Sequence, residues 1–129
     1  MERWRYVLGM VAAGLIVASG AAHTLLGWKG TRAELIAAAT PPDLLTTVGI
    51  GWIFGGVSMF GFGSIAIASF IARRRDPAST LGPIAIIALV YIVFGLGALA
   101  ASGFDPFFLV FIVPGLLLAV AAWPSRRST

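Results

Sequence analysis

The sequence predicts an all-α integral membrane protein: a four-helix bundle with both termini cytoplasmic, plus a short surface helix in the first outer loop. Three observations predict it. Of 129 residues, 59% are hydrophobic and only 11% charged, whereas soluble domains are about half apolar and a quarter charged. The charges fall in short clusters that divide the chain into four apolar runs. Finally, lysine and arginine concentrate at alternate ends of those runs. A chain this short exposes a large fraction of its surface, so lipid must cover what a core cannot.

The first run, Tyr6 to Trp28, lies between Arg5 and Lys29 without a formal charge and is close to the ~20 apolar residues a spanning helix needs. Its basic start and the small residues Ala18 to Ala22 resemble a signal peptide. It is read instead as a retained span, because removing it would leave three spans and unmatched charge clusters. Leu44 to Ala72, the second run, is long enough to tilt or to extend past the interface. The third and fourth are Leu81 to Ala101 and Pro106 to Trp123, joined by a tight turn. Asp105 before Pro106 suits a helix start: the carboxylate accepts freed N–H groups, and proline lacks only a donor that is unneeded there.

Cations resist translocation, so their loops mark the cytoplasmic side. Arg3 and Arg5, then Arg73 to Arg75, then Arg126 and Arg127 fall on one side, while Lys29 and Arg32 are offset by Glu34 and Asp43 on the other. This predicts a multi-pass cell-membrane protein with both termini inside. The net charge of +4 then reflects topology and an affinity for anionic headgroups, and nucleic acid is not an expected partner. Within Gly30 to Asp43, Glu34 follows Thr31 at capping-box spacing, which predicts a separate surface helix over Thr31 to Ala39, ended by Pro41 and Pro42.

Small residues let membrane helices approach closely. On the second span Thr47, Gly51, Gly55 and Ser58 share a face, and Gly51 and Gly55 form a GxxxG match read as the main packing seam. Gly9, Ala13, Gly20 and Gly27 form a seam on the first span, and Ala88, Gly95, Ala98 and Ser102 one on the third. Pro114, inside the fourth span, predicts a kink. Trp4, Trp28 and Trp123 sit at span ends, as an aromatic belt requires.

Few residues are left to carry chemistry. His23 is the one histidine, and an ionisable side chain in a membrane normally faces protein or a cavity. Its face is shared with Ser19, Gly20 and Gly27, so it is expected to point inward, in either an interfacial structural role or a binding role. Tyr91, mid-span, needs a partner for its hydroxyl, a carbonyl or Ser58. Trp52 is placed to line a pocket with Phe54 and Tyr91, or to face lipid. With no cysteine and one histidine, neither a metal site nor a cofactor is expected; haem would need a histidine from a second subunit. Glu34 and Asp43, separated by a proline turn, make a weak acid–base pair.

In length and four-helix layout the chain resembles the small multidrug-resistance transporters, whose first helix carries an essential membrane-embedded glutamate. Tyr6 to Trp28 holds neither glutamate nor aspartate, so the resemblance implies the layout and not that family's exchange mechanism. Three functions remain open. One is a non-catalytic packing or assembly unit, as a homo-oligomer or an accessory subunit of a larger membrane complex, and it is the expected one. The second is a small transporter, channel or lipophilic-ligand-binding protein with an outward cavity near His23. The third is a membrane enzyme acting on a lipid or quinone. A pocket between the helices separates the second from the first.

Overall fold

No proline occurs before Pro41, so nothing in the first part of the chain removes a backbone donor or forces a helix to stop. In the computed structural model, which describes residues 1–123, that stretch is one continuous rod, Arg3–Ala37. It consists of α1 (Arg3–Ala22), a π-helical turn (His23–Gly27) and α2 (Trp28–Ala37). The expected separate surface helix is therefore the far end of the first helix. Thr31 sits inside α2, which has no side-chain cap, so the Thr31–Glu34 capping box does not form. Gly30 alone costs about 1 kcal/mol relative to alanine in a helix, too little to interrupt hydrogen bonding.

The rod ends where the backbone turns left-handed at Ala39 (φ 54°). There Ala39 N–H donates to Ile36 O at 3.0 Å and Thr40 N–H to Leu35 O at 3.0 Å, the paired bonds of a Schellman cap. Helix α3 (Pro42–Arg75) follows at once, with Pro42 in its first turn, Asp43 beside it, and Arg73, Arg74 and Arg75 in its last turn. These charges oppose the helix dipole at both ends. Its 34 residues extend roughly 51 Å at 1.5 Å each, well beyond a hydrocarbon core about 30 Å thick.

Helix α4 (Gly82–Ala101) ends in the same kind of cap: Phe104 N–H donates to Leu99 O at 2.8 Å while Gly103 takes φ +71°. The expected start of the last helix is present. Asp105 accepts from Phe107 N–H at 2.9 Å, Pro106–Phe108 form a 3-10 turn, and α5 (Leu109–Ala122) follows and runs through the buried Pro114. Among the described residues there is no strand, and three helices, Arg3–Ala37, Pro42–Arg75 and Gly82–Ala101, are long and apolar enough to cross a membrane. Pro106–Ala122 is a shorter apolar helix. Arg126 and Arg127 lie outside the described residues.

Helix α1 packs between α3 and α5, and α4 packs on α5. Between α1 and α3 the backbones nearly touch: a Cβ added to Gly20 would stand 2.9 Å from Gly56 O, and one on Gly63 would stand 3.0 Å from Ala13 O. The face of α3 that meets α1 thus carries Gly49, Gly56 and Gly63, all buried. It is not the expected face. Gly51 is exposed with open space at its Cβ position, and Gly55 touches only His23. On α4, Ala88 and Gly95 are buried, and Gly95 approaches Ile112 N of α5 to 3.1 Å measured from its added Cβ; Ser102 is exposed.

Ile16, Phe70, Ile84 and Leu118 fill the space between the helices, and no polar residue is buried among those described. Outward faces carry large apolar side chains such as Val11, Ile53, Val93 and Leu116. Hydroxyls there bond back to their own helix, as Thr47 Oγ1 does to Asp43 O at 2.9 Å, which satisfies them without water. Trp4 and Trp123 are exposed at helix ends, as belt residues are. Trp28 is not: its ring covers Gly49, 2.7 Å from where that residue's Cβ would stand.

Gly20→Ala should therefore destabilise the protein by about 1–3 kcal/mol, the usual cost of overpacking, despite the better helix propensity of alanine. Gly14→Ala, on the same helix with nothing within 4 Å of its Cβ position, should be neutral or stabilising. Thermal unfolding of both variants in detergent checks the pair.

Candidate functional site

A π-turn widens a helix by one residue, which rephases the faces on either side and is a common feature of functional sites. Here it begins at His23, whose carbonyl accepts the backbone N–H of Trp28 and also Trp52 Nε1–H at 2.8 Å. The Trp52 ring lies flat on the His23 imidazole, with centroids 4.4 Å apart and planes within 1°. It also covers Gly27, whose added Cβ would stand 3.1 Å from Cζ2. Glycine at 27 lets the indole close over the turn, and the indole in turn pins it to α3. Thr24 Oγ1 donates to Gly20 O at 2.9 Å, tying the turn to the close-packed seam below.

These residues form one wall of a cleft of about 420 Å³ between α3 and α4, within the 300–1,000 Å³ usual for small-molecule sites. His23, Trp52, Gly55 and Ser58 stand on that side, with Tyr91 of α4 and Phe111 of α5 opposite. Tyr91 is 4% exposed and packed edge-on by Phe62, with ring centroids 6.4 Å apart. Its hydroxyl oxygen is fully buried and has no hydrogen-bond partner among the described residues. Leaving such a group unmatched costs about 1–3 kcal/mol. The cleft is therefore an apolar, aromatic space, with the unpartnered Tyr91 hydroxyl sealed in its wall and the His23 ring at its side.

The structure places His23, Trp52, Tyr91 and Ser58 on one cleft. Phe54 is not with them: it points away, 71% exposed. The expected bond between Tyr91 and Ser58 is absent, since Ser58 Oγ donates to Phe54 O at 2.8 Å on its own helix. Met59, Phe62, Phe94 and Phe111 also line the space without having been foreseen. Their signal was weak, because an aromatic residue on an apolar helix reads the same whether it faces lipid or a cavity. Glu34 and Asp43 are exposed and lie outside the cleft. Among the described residues no cluster of three metal-binding side chains occurs.

Comparison with protein-family models, with curated proteins and with solved structures found no match to this chain. Chemically, the cleft can enclose a lipophilic ring or chain against aromatic walls.

Removing the hydroxyl by Tyr91→Phe should leave the ligand-free protein as stable as before or more stable, by up to about 1–3 kcal/mol. A lowered unfolding midpoint in detergent would mean that the hydroxyl already has a partner.

Proposed function

We propose that this chain is a multi-pass membrane protein that binds a lipophilic small molecule in the cleft between α3 and α4. One observation carries the reading: an apolar cleft of about 420 Å³ is walled by aromatic side chains from three helices, Trp52, Tyr91 and Phe111 among them, with His23 at its side. The Tyr91 hydroxyl is sealed in the cleft wall without a partner among the described residues and has no water at membrane depth to satisfy it, so a side-chain rotation that opens it toward the cleft would let a ligand carrying a carbonyl or hydroxyl gain a hydrogen bond that the empty protein lacks. The stacked pair of His23 and Trp52 supplies a rigid aromatic wall, which favours a ligand with a flat face. Rigid walls reduce the ordering cost of binding.

A second reading, assembly with another copy or another membrane subunit, rests on the outward face of α3. Ile50, Phe54 and Val57 are exposed there, and Gly51 at the edge of that face has open space at its Cβ position, which leaves room for the close approach of a partner helix. In both readings four helices form a bundle across the cell membrane, and the alternation of arginine clusters supports cytoplasmic termini.

Native mass spectrometry of the protein released from mild detergent separates the two. A chain carrying one retained apolar molecule, lost in Tyr91→Phe and in the cleft-filling Gly51→Phe, supports binding. A ligand-free oligomer dispersed by Gly51→Phe supports assembly instead. The natural chain has no cysteine, which makes orientation directly measurable. Single cysteines at Glu34 and Asp105 should react with an impermeant maleimide on intact cells, whereas cysteines at Glu2 and Asp76 should react only after lysis.

A further inference from the structure

The end of the molecule bearing the arginines holds a second cavity, of about 500 Å³, unrelated to the cleft. Arg5 of α1, Arg73 of α3, and Ser79 and Thr80 of the connecting loop form its polar side, and Ala85 and Ala122 belong to its apolar side. Among the described residues no carboxylate lines it, although Asp76 Oδ2 accepts from the lining Ser79 hydroxyl at 3.4 Å. The loop is shaped by its own contacts. The Arg73 guanidinium donates to the carbonyl of Pro77 and, at 2.7 Å, to that of Ser79, and Asp76 accepts from Ala78 N–H at 2.8 Å.

Arg5 is the unexplained member. Its Nε is fully buried and has no hydrogen-bond partner among the described residues. Glu2 Oε2 stands 4.0 Å away, beyond hydrogen-bond reach, on a side chain 63% exposed, and it already accepts Trp4 Nε1–H at 2.9 Å. A buried guanidinium donor without an acceptor is costly, and a planar fork of donors matches a phosphate better than any neutral group. With Arg5 and Arg73 on one cavity, its polar side complements a phosphate group, while its alanine wall complements the apolar part of the same molecule.

We infer that this cavity is a phosphate-binding site built on Arg5 and Arg73, taking either the headgroup phosphate of an anionic lipid or a soluble phosphate ester. The site lies at the helix ends, where interfacial headgroups would meet a spanning protein, and its geometry is independent of the cleft occupied in the proposed function.

The test is native mass spectrometry of the full chain in non-ionic detergent, titrated with dioleoyl phosphatidylglycerol and, separately, with glycerol phosphate as competitor. One phosphatidylglycerol should bind per chain. Arg5→Gln should weaken it by about tenfold or more, as loss of a charge-assisted bidentate contact does. Arg5→Lys should restore part of that, and Arg75→Gln, at the same end but outside the cavity, should change it by less than about twofold, as surface charge alone does. Competition by glycerol phosphate would assign the site to soluble esters as well, and its failure would assign it to lipid. Equal weakening by Arg5→Gln and Arg75→Gln, or no one-to-one binding of either probe, would overturn the inference. Should Arg5→Gln fail to fold, Ala85→Phe, which fills the apolar side without touching charge, should abolish binding, and retained affinity would equally overturn it.

Discussion

The backbone contact between Gly20 and Gly56 sets the arrangement of everything above it. Lipid tails solvate leucine as well as another helix does, so apolar surface alone cannot hold two helices together in a membrane. Close backbone approach can, because it multiplies dispersion contacts that larger side chains would prevent. Gly20 brings α1 against α3 at Gly56, and Gly63 repeats the contact at Ala13 O. With the register fixed there, Trp52 is carried to the level of His23, where its N–H reaches the π-turn carbonyl at 2.8 Å. A bulkier residue at position 20 or 56 would displace the seam and with it the stacked pair.

The same helix uses small residues in two opposite ways. Gly56 and Gly63 vanish into the contact with the first helix and Gly49 lies under Trp28 of α2, whereas Gly51 and Gly55 border the cleft that faces α4. Small side chains permit contact where a partner helix closes on them and leave a hole where it does not. Helix α4 does not close, because it is held by α5: Gly95 and Gly115 draw those two helices together, and α3 touches α4 more sparingly. The cleft is thus a consequence of two tight helix pairs, α1 with α3 and α4 with α5, meeting less tightly at one side.

Polar chemistry is confined to particular depths. At the ends, left-handed caps, Asp105 and the loop around Arg73 satisfy the backbone groups that helices leave free. Along the lengths, serine and threonine hydroxyls turn back onto their own helices. Among the described residues two buried side-chain atoms lack partners, Tyr91 Oη and Arg5 Nε, and each belongs to a residue that lines a cavity. In a structure that otherwise meets its polar requirements locally, that coincidence locates both candidate sites.

Composition and short-range spacing made the elements legible: apolar runs of spanning length bounded by charge clusters, a carboxylate-capped helix at Asp105, and His23 and Tyr91 as polar groups inside apolar helices. These are local properties, fixed by composition and by residues a turn apart. Even the packing face was partly legible, since Ala13, Gly20 and Gly27 on one helix and Gly49, Gly56 and Gly63 on the other share a spacing of seven, the repeat of helices that stay in contact. The GxxxG at Gly51 and Gly55 pointed to the neighbouring face because a glycine-rich helix offers several seams, and a helical period cannot say which one meets a partner. The placement of the neighbouring helices settled that. It also carried the first helix past Lys29 through a π-turn, turned Trp28 inward and left Phe54 outside. In a membrane both the protein interior and the surroundings are apolar, so the side a residue faces leaves little mark on its chemistry and is set by where the other helices stand.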